Sequence, residues 1–316
     1  TPIKSSAASD VYKRQELFAS LENPQDSEAV EVSLADDKRR ETFYNRLCAF
    51  GRPLNLVLNA EQAYEALPKP ELKRYQSAFA FFSKVRRSVK IRYCDAIDNR
   101  EYEPLMQNLL DTHLSVAGLK QITSPIDILN KDDFERELES LGSARSKADA
   151  ITSKLTKSIS AKYQENPAYY DSFSKRIKTA LEQYKEKVIT EAEYLAKMRA
   201  IMEDYHAGKS TIAYPESIKN NVHAQAFYGV LSAIFDEAQD AEVSSDFAAE
   251  MSIAITQIIA AHSQVDWTNN KTIHDRISQD IDDLFYHYEK ERGLKLSFDT
   301  IDKIIENVKT VALRRF

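Results

Sequence analysis

A chain of 316 residues, 43% apolar and 29% charged, has the composition of a globular protein long enough for two cores. A net charge of −6 excludes a wholly basic nucleic-acid coat, and two cysteines exclude a disulfide framework. No apolar run approaches the roughly 18 residues a membrane span needs, so no membrane partner is expected, and the expected setting is reduced and cytoplasmic.

Residues 1–15, TPIKSSAASDVYKRQ, are rich in Ser and Ala, lack periodicity and offer no apolar stripe to bury. No stable structure is expected there. Helical spacing starts at Ala35, with Phe43, Leu47 and Phe50 on one stripe and Pro53 expected to break or kink the helix. Asn59 caps a short piece, Ala60–Ala66, closed by Pro68. Pro70 stands where a first-turn proline belongs, ahead of a long helix from Glu71 to about Ile97. A further helix covers roughly Glu103–Ala117. The stretch Ile122–Lys131 contains Ser124-Pro125 and reads as a connection. The expected division is therefore a helical domain over 16–125 and a C-terminal helical docking domain over 126–316.

The second half is more regular. Asp132–Leu141 is a polar helix and Ala144–Gln164 comes next. Pro167 starts another, with Ile177, Leu181, Tyr184 and Val188 along one stripe. Thr190-x-x-Glu193 forms a capping box. It opens a helix carrying Leu195, Met198, Ile201 and Tyr205, which Gly208 closes. Ile218, Val222, Phe227, Val230, Leu231, Ile234 and Phe235 form a core face. The segment 247–262 is apolar on most sides and belongs at the centre of its domain. Ile273, Ile277, Ile281, Leu284 and Tyr288 make one further stripe, and Ile301, Ile304, Ile305, Val308 and Val311 the last. No segment alternates as a strand does, and no fixed repeat is visible. The expected fold is all-α, in two helical subdomains.

No catalytic, cofactor-binding or metal-binding constellation emerges. Gly208-Lys209-Ser210-Thr211 has the end of a phosphate loop, but the first glycine of that motif would fall on Glu203, and the segment comes after a helix. A helix C-cap is the better description. Glu71-x-Lys73 and Asp36-x-Lys38 have nuclease-like local spacing, yet both lie at helix starts, where acids suit the dipole. His113, His206, His223, His262, His274 and His287 lack ligand spacing. Cys48 and Cys94 read as small core residues.

One segment has electrostatic content. Residues 69–92, KPELKRYQSAFAFFSKVRRSVKIR, carry Lys69, Lys73, Arg74, Lys84, Arg86, Arg87, Lys90 and Arg92 against one acid, Glu71. At about 100° per residue, Ala78, Phe81, Phe82, Val85, Val89 and Tyr93 share one face. Lys73, Lys84, Arg86, Arg87 and Lys90 fall on the other, a candidate contact for DNA or RNA phosphates. The competing description is a face solvated or paired with acids of the same chain. A long coiled-coil adaptor is disfavoured because heptads are not sustained.

The run QVDWTNNKTIHDRISQDIDDLFYHYEKERG from Gln264 places a VDW step ahead of a helix with an Arg, an Ile and paired acids. With RRETFYNRLCAFGRPLN, RYQSAFAFFSKVRRSVKIRY and the helix after LESLGSARSKADAI, it resembles the C-terminal helical region of the restriction (R, motor) subunit of type I restriction-modification enzymes, over residues 16–316. The resemblance implies a parent ATP-dependent type I site-specific deoxyribonuclease that translocates duplex DNA, with ATP and Mg serving motor lobes absent from this chain. It further implies that this part attaches the motor to the modification (methyltransferase) and specificity subunits, without catalysis of its own. The alternative is an independent nucleic-acid-binding module acting through residues 69–92. The leader bears on the same question: the codons GAT GTG TAT AAG AGA CAG encode DVYKRQ and match a transposon end used in sequencing adapters. Residues 1–15 are accordingly expected to be translated adapter, with natural sequence starting near Glu16.

Overall fold

The computed structural model describes residues 17–60, 68–95, 106–107, 109–110, 131–238, 243–263 and 267–316. The leader 1–15, the short helix after Asn59, most of the helix expected at Glu103–Ala117 and the junction near 125 lie outside the described residues. Among those described there are helices and no strand, so the fold is all-α. The helices are α1 (Ser27–Ser33), α2 (Asp37–Asn59), α3 (Lys69–Arg92), α4 (Lys131–Glu139), α5 (Ala144–Lys162), α6 (Pro167–Lys185), α7 (Glu191–His206), α8 (Val222–Ala238), α9 (Ser245–His262), α10 (Lys271–Arg292) and α11 (Phe298–Arg315). They group into two compact units, one of Thr1–Lys154 with Thr190–Ala196, the other of Leu155–Ile189 with Lys197–Phe316.

In the first unit α3 packs against α1 and α2. Its core gathers Phe18, Val30, Leu34, Phe43, Tyr44, Leu47, Phe50, Leu72, Tyr75, Phe79 and Val89. The short α1 went unanticipated. It is capped by Asp26, whose carboxylate accepts from the backbone N–H groups of Glu28 and Ala29, and it buries Val30. Of the expected break or kink at Pro53 the break does not occur: α2 runs through it to Asn59. Leu54 and Val57 are buried just beyond the proline, so burial there offsets the missing hydrogen bond.

The second unit is built around α8, which packs against α6, α9 and α11, while α10 lies against α9 and α11. The expected stripes meet there, except at Val222, which begins α8 and stands 57% exposed: Phe227, Leu231, Met251, Ile255, Ile259, Ile277, Ile281, Ile304 and Val308 form one core. The close approach of α6 and α8 depends on Gly229. A Cβ built at that position would stand 2.5 Å from the Cβ of Ala168.

The ends of α3, α6 and α7 each place a residue in the left-handed region, and in each the next N–H reaches back five residues. Gly208 (φ 67°) closes α7 in this way, with Lys209 N–H donating to Asp204 C=O at 2.9 Å. Cys94 (φ 45°) closes α3 and Lys187 (φ 59°) closes α6 without a glycine. The turn at Lys187 corrects the α6 stripe. The helix stops at Lys185 and Val188 stands 67% exposed, while Tyr170, Phe173, Ile177 and Ala180 are its buried residues. The capping box of α7 forms, with Glu193 Oε2 accepting from Thr190 N–H at 2.8 Å and Thr190 Oγ1 from Glu193 N–H at 3.3 Å. Lys187 is exposed and bears the steric cost of a left-handed side chain. Lys187→Gly is therefore expected to stabilise the chain by about 0.5–1 kcal/mol in urea denaturation. A lower midpoint for the variant would contradict this account of the α6 terminus.

Candidate functional site

The basic helix α3 turns much of its charge inward. Arg86 is 0% and Lys90 5% exposed, and Arg92 is fully buried. Leu72, Tyr75, Phe79, Ser83, Arg86 and Lys90 follow helical spacing and are buried together with Val85 and Val89, so the inward face is wider than the one that apolar residues alone predict. The placement of Arg86 and Lys90 on an open face is thereby corrected. Lys73 and Lys84 are exposed, and Arg87 Nη2 donates to Glu137 on α4 at 2.8 Å. The five candidate cations therefore do not share one surface.

Aromatic rings and acids of the same chain account for the inward charges. The Arg86 guanidinium carbon lies 5.4 Å and Lys90 Nζ 5.9 Å from the Tyr44 ring centroid on α2. The Tyr44 hydroxyl donates to Asp95 at 3.1 Å, and Arg40 Nε donates to the same carboxylate oxygen at 2.8 Å. Asp95 reaches both because Cys94 turns the chain at the end of α3. Burial, and then the neighbouring Asp95 charge, push the Tyr44 phenol well above its ordinary range.

Arg92 is the centre of the densest network. Its Nη2 meets Asp149 at 2.6 Å and Glu28 at 2.9 Å, while Nη1 meets Glu31 at 3.1 Å and Ser146 Oγ at 3.0 Å. Nε donates to Asp149 at 3.0 Å. Ser146 Oγ lies within hydrogen-bond distance of Glu28 and Glu31, and Ser143 Oγ donates to Glu28 at 2.7 Å. The network thus ties α1, α3 and α5 through residues far apart in sequence. Burial pushes the Glu28 carboxyl up, but Ser143 and Arg92 outweigh it and leave it below the ordinary value. At Glu31 and Asp149 burial prevails over the hydrogen bonds and the guanidinium, and both lie above their ordinary values. Arg92 stays charged, since burial opposes its charge and Asp149 more than restores it.

Elsewhere the candidate chemistry resolves into structure. Asp36 caps α2 by accepting from Arg39 N–H, and Glu71 accepts from the Tyr75 hydroxyl at 2.7 Å. Gly208-Lys209-Ser210-Thr211 is the C-terminal turn of α7 and the start of the connection leading away from it. His262 Nε2 lies 2.6 Å from Asp280, His287 pairs with Glu291, and His223 stacks near Phe316 with centroids 4.3 Å apart. His113 lies outside the described residues. Among the described residues no group of three His, Cys, Asp or Glu side chains could hold a metal ion, and no helix is long and apolar enough to cross a membrane. The acids Glu28, Glu31, Asp95 and Asp149 escaped the sequence because their partner is 57 residues away in one case and more than 50 in all. The only local signal was Glu28 and Glu31 on one face of a short helix.

Truncating Arg92 leaves three acids close together in a partly buried box. Arg92→Met is expected to destabilise the chain by about 3–5 kcal/mol at neutral pH. The raised carboxyls of Glu31 and Asp149 contribute stability that is full below the ordinary carboxylate range and lost as pH rises through their raised values. Glu28 contributes in the opposite sense, present above its ordinary value and dependent on Arg92. All three shift the same way once Arg92 is gone, so the deficit of the variant narrows as pH falls toward about 4. Urea titrations of both proteins across pH check this, and a deficit independent of pH would be inconsistent with the acid box.

A family model described as type I restriction enzyme HindI endonuclease subunit-like, C-terminal, matches residues 27–312. Neither the comparison with curated proteins nor that with solved structures gave a match. The matched span runs from the first residue of α1 to within the last turns of α11, and so takes in the acid box and, Phe18 apart, the core residues of both units. The chain belongs to this family, as the C-terminal part of a type I restriction enzyme subunit.

Proposed function

We propose that this chain is the attachment region of a type I restriction motor subunit, coupling an ATP-driven DNA translocase and endonuclease to the modification–specificity core. The family match over 27–312 carries this reading. In it the fragment performs no catalysis, ATP and Mg serve the motor lobes of the parent protein, and the partners are the methyltransferase and specificity subunits. Duplex DNA is engaged through the parent complex. The 126–316 part is proposed as the docking domain. Apart from Leu56, the large apolar side chains that stand exposed among the described residues lie between Tyr163 and Phe316. They include Val222 at 57%, Tyr286 at 66% and Phe298 at 86%. In this reading they supply apolar contacts to the partner subunits.

The test is co-elution of the chain with an assembled methyltransferase–specificity complex in size-exclusion chromatography. Stable co-elution is expected. Val222→Asp with Phe298→Asp is expected to weaken it at least about tenfold, since buried interface charges are costly, while leaving the melting temperature unchanged. A chain that elutes alone at every ratio would refute the coupling role.

A second reading is a direct nucleic-acid contact by α3. Lys73 and Lys84 stay exposed on this helix and are able to meet phosphates. The internal partners of Arg86, Arg87 and Lys90 shrink that contact to fewer charges than the sequence offers.

A further inference from the structure

Two cavities stand out among the described residues. One, of about 740 Å³ in the second unit, mixes Asp171 and Asp236 with Lys175, Arg176 and Lys197. Two of its three cations are engaged: Arg176 pairs with Asp204 at 2.6 Å, and Lys197 donates to Gln183 at 2.7 Å. The other lies in the first unit and measures about 830 Å³, within the range of about 300–1,000 Å³ typical of ligand clefts. Its walls are the start of α3 and the chain around Phe18. Among the described residues no acidic side chain lines it, in a protein of net charge −6.

The composition of this groove is specific. Phe81 and Phe82 supply partly exposed aromatic surface beside the buried rings of Phe18 and Tyr75, and Lys73 and Arg74 supply exposed cations. Phe82 stacks on Phe18 with centroids 5.8 Å apart and rings 9° from parallel, which fixes the floor. Phe81 stands edge-on to Phe82 at 5.0 Å and is only partly buried. The Arg74 guanidinium carbon lies 5.6 Å from the Tyr75 ring centroid. Glu71, the acid nearest in sequence, does not line the groove and accepts the Tyr75 hydroxyl.

We infer that this groove binds single-stranded nucleic acid, with a base against Phe81 and the backbone phosphates at Lys73 and Arg74. An aromatic face open to a cleft accepts any unstacked base, whereas a duplex keeps its base faces covered. The paired cations and absent acids complement a phosphate chain. The inference rests on the second reading above, the nucleic-acid contact of α3, and is independent of the attachment role. It departs from that reading in two respects: the strand is single, and an aromatic ring contributes alongside charge.

The test uses the full chain and a labelled oligothymidylate, with an equal-length duplex as competitor, read by fluorescence anisotropy at two salt concentrations. The single strand is expected to bind more tightly than the duplex. Phe81→Ala is expected to weaken single-strand binding by at least about fivefold, the lower end of what a stacked base contributes. Lys73→Glu with Arg74→Glu, both at exposed positions, is expected to abolish binding at low salt. Photocrosslinking of an iodouracil-substituted strand to the unmodified protein, mapped by mass spectrometry, provides a readout that needs no variant. Adducts at Phe81 are expected. Equal affinity for duplex, an unchanged Phe81→Ala variant or adducts confined to other helices would overturn the groove while leaving a phosphate contact in place. Absence of binding to either nucleic acid would overturn both, and leave the attachment role to its own test.

Discussion

A guanidinium withdrawn from water among carboxylates constrains the first unit more than any other interaction. Arg92 has no exposed surface, and its donors are met by Asp149, Glu28, Glu31 and Ser146. Such a group costs several kcal/mol to desolvate, and only near-complete pairing offsets this. The geometry of α1, α3 and α5 is therefore tied to one side chain. The same logic governs the neighbouring Arg40, which reaches Asp95 and the carbonyl oxygens of Leu34 and Ala35. These two arginines stand at 4.7 and 5.8 Å from the ring centroid of Tyr93, Arg40 the nearer. Polar specificity of this kind fixes register where apolar packing alone tolerates sliding.

The second unit relies on a different principle. Its core is almost wholly aliphatic and aromatic; among the described residues of α8–α11, Ser252 is the one buried polar side chain, hydrogen-bonded to Ala249 C=O. Closeness is set by size there, as at Gly229 and Ala168. The chain thus combines one unit defined by paired charge with another defined by packed volume.

Much of this was legible in the sequence, and the physical reason is periodicity. The stripes Ile277–Ile281–Tyr288 and Ile304–Val308–Val311 are buried where their spacing puts them. Local chemistry was equally readable: Thr190 with Glu193 and Gly208 each act within a few residues of themselves. What escaped was non-local. Arg86 and Lys90 look like solvent-facing cations until the Tyr44 ring arrives from α2. Val188 looks like the next residue of a stripe until Lys187 adopts a left-handed turn that its residue type does not announce. Pro53 looks like a terminator until burial of its neighbours sustains the helix. The family resemblance read from the quoted segments agrees with the family match; of the acid box, Arg92, Ser143, Ser146 and Asp149 lie in those segments, and Glu28 and Glu31 do not.

The acid box also has a consequence for the order of events at the ribosome. Glu28, Glu31 and Arg92 are all synthesised before Asp149, which comes 57 residues after Arg92. Until α5 emerges, a partially assembled first unit holds its guanidinium with an incomplete set of acceptors, and burying it in that state is unfavourable. The N-terminal helices are thereby held short of final closure for the several seconds that elongation across this interval takes, at about 5–20 residues per second. In this chain the last strut to be made is the one that lets the first helices settle.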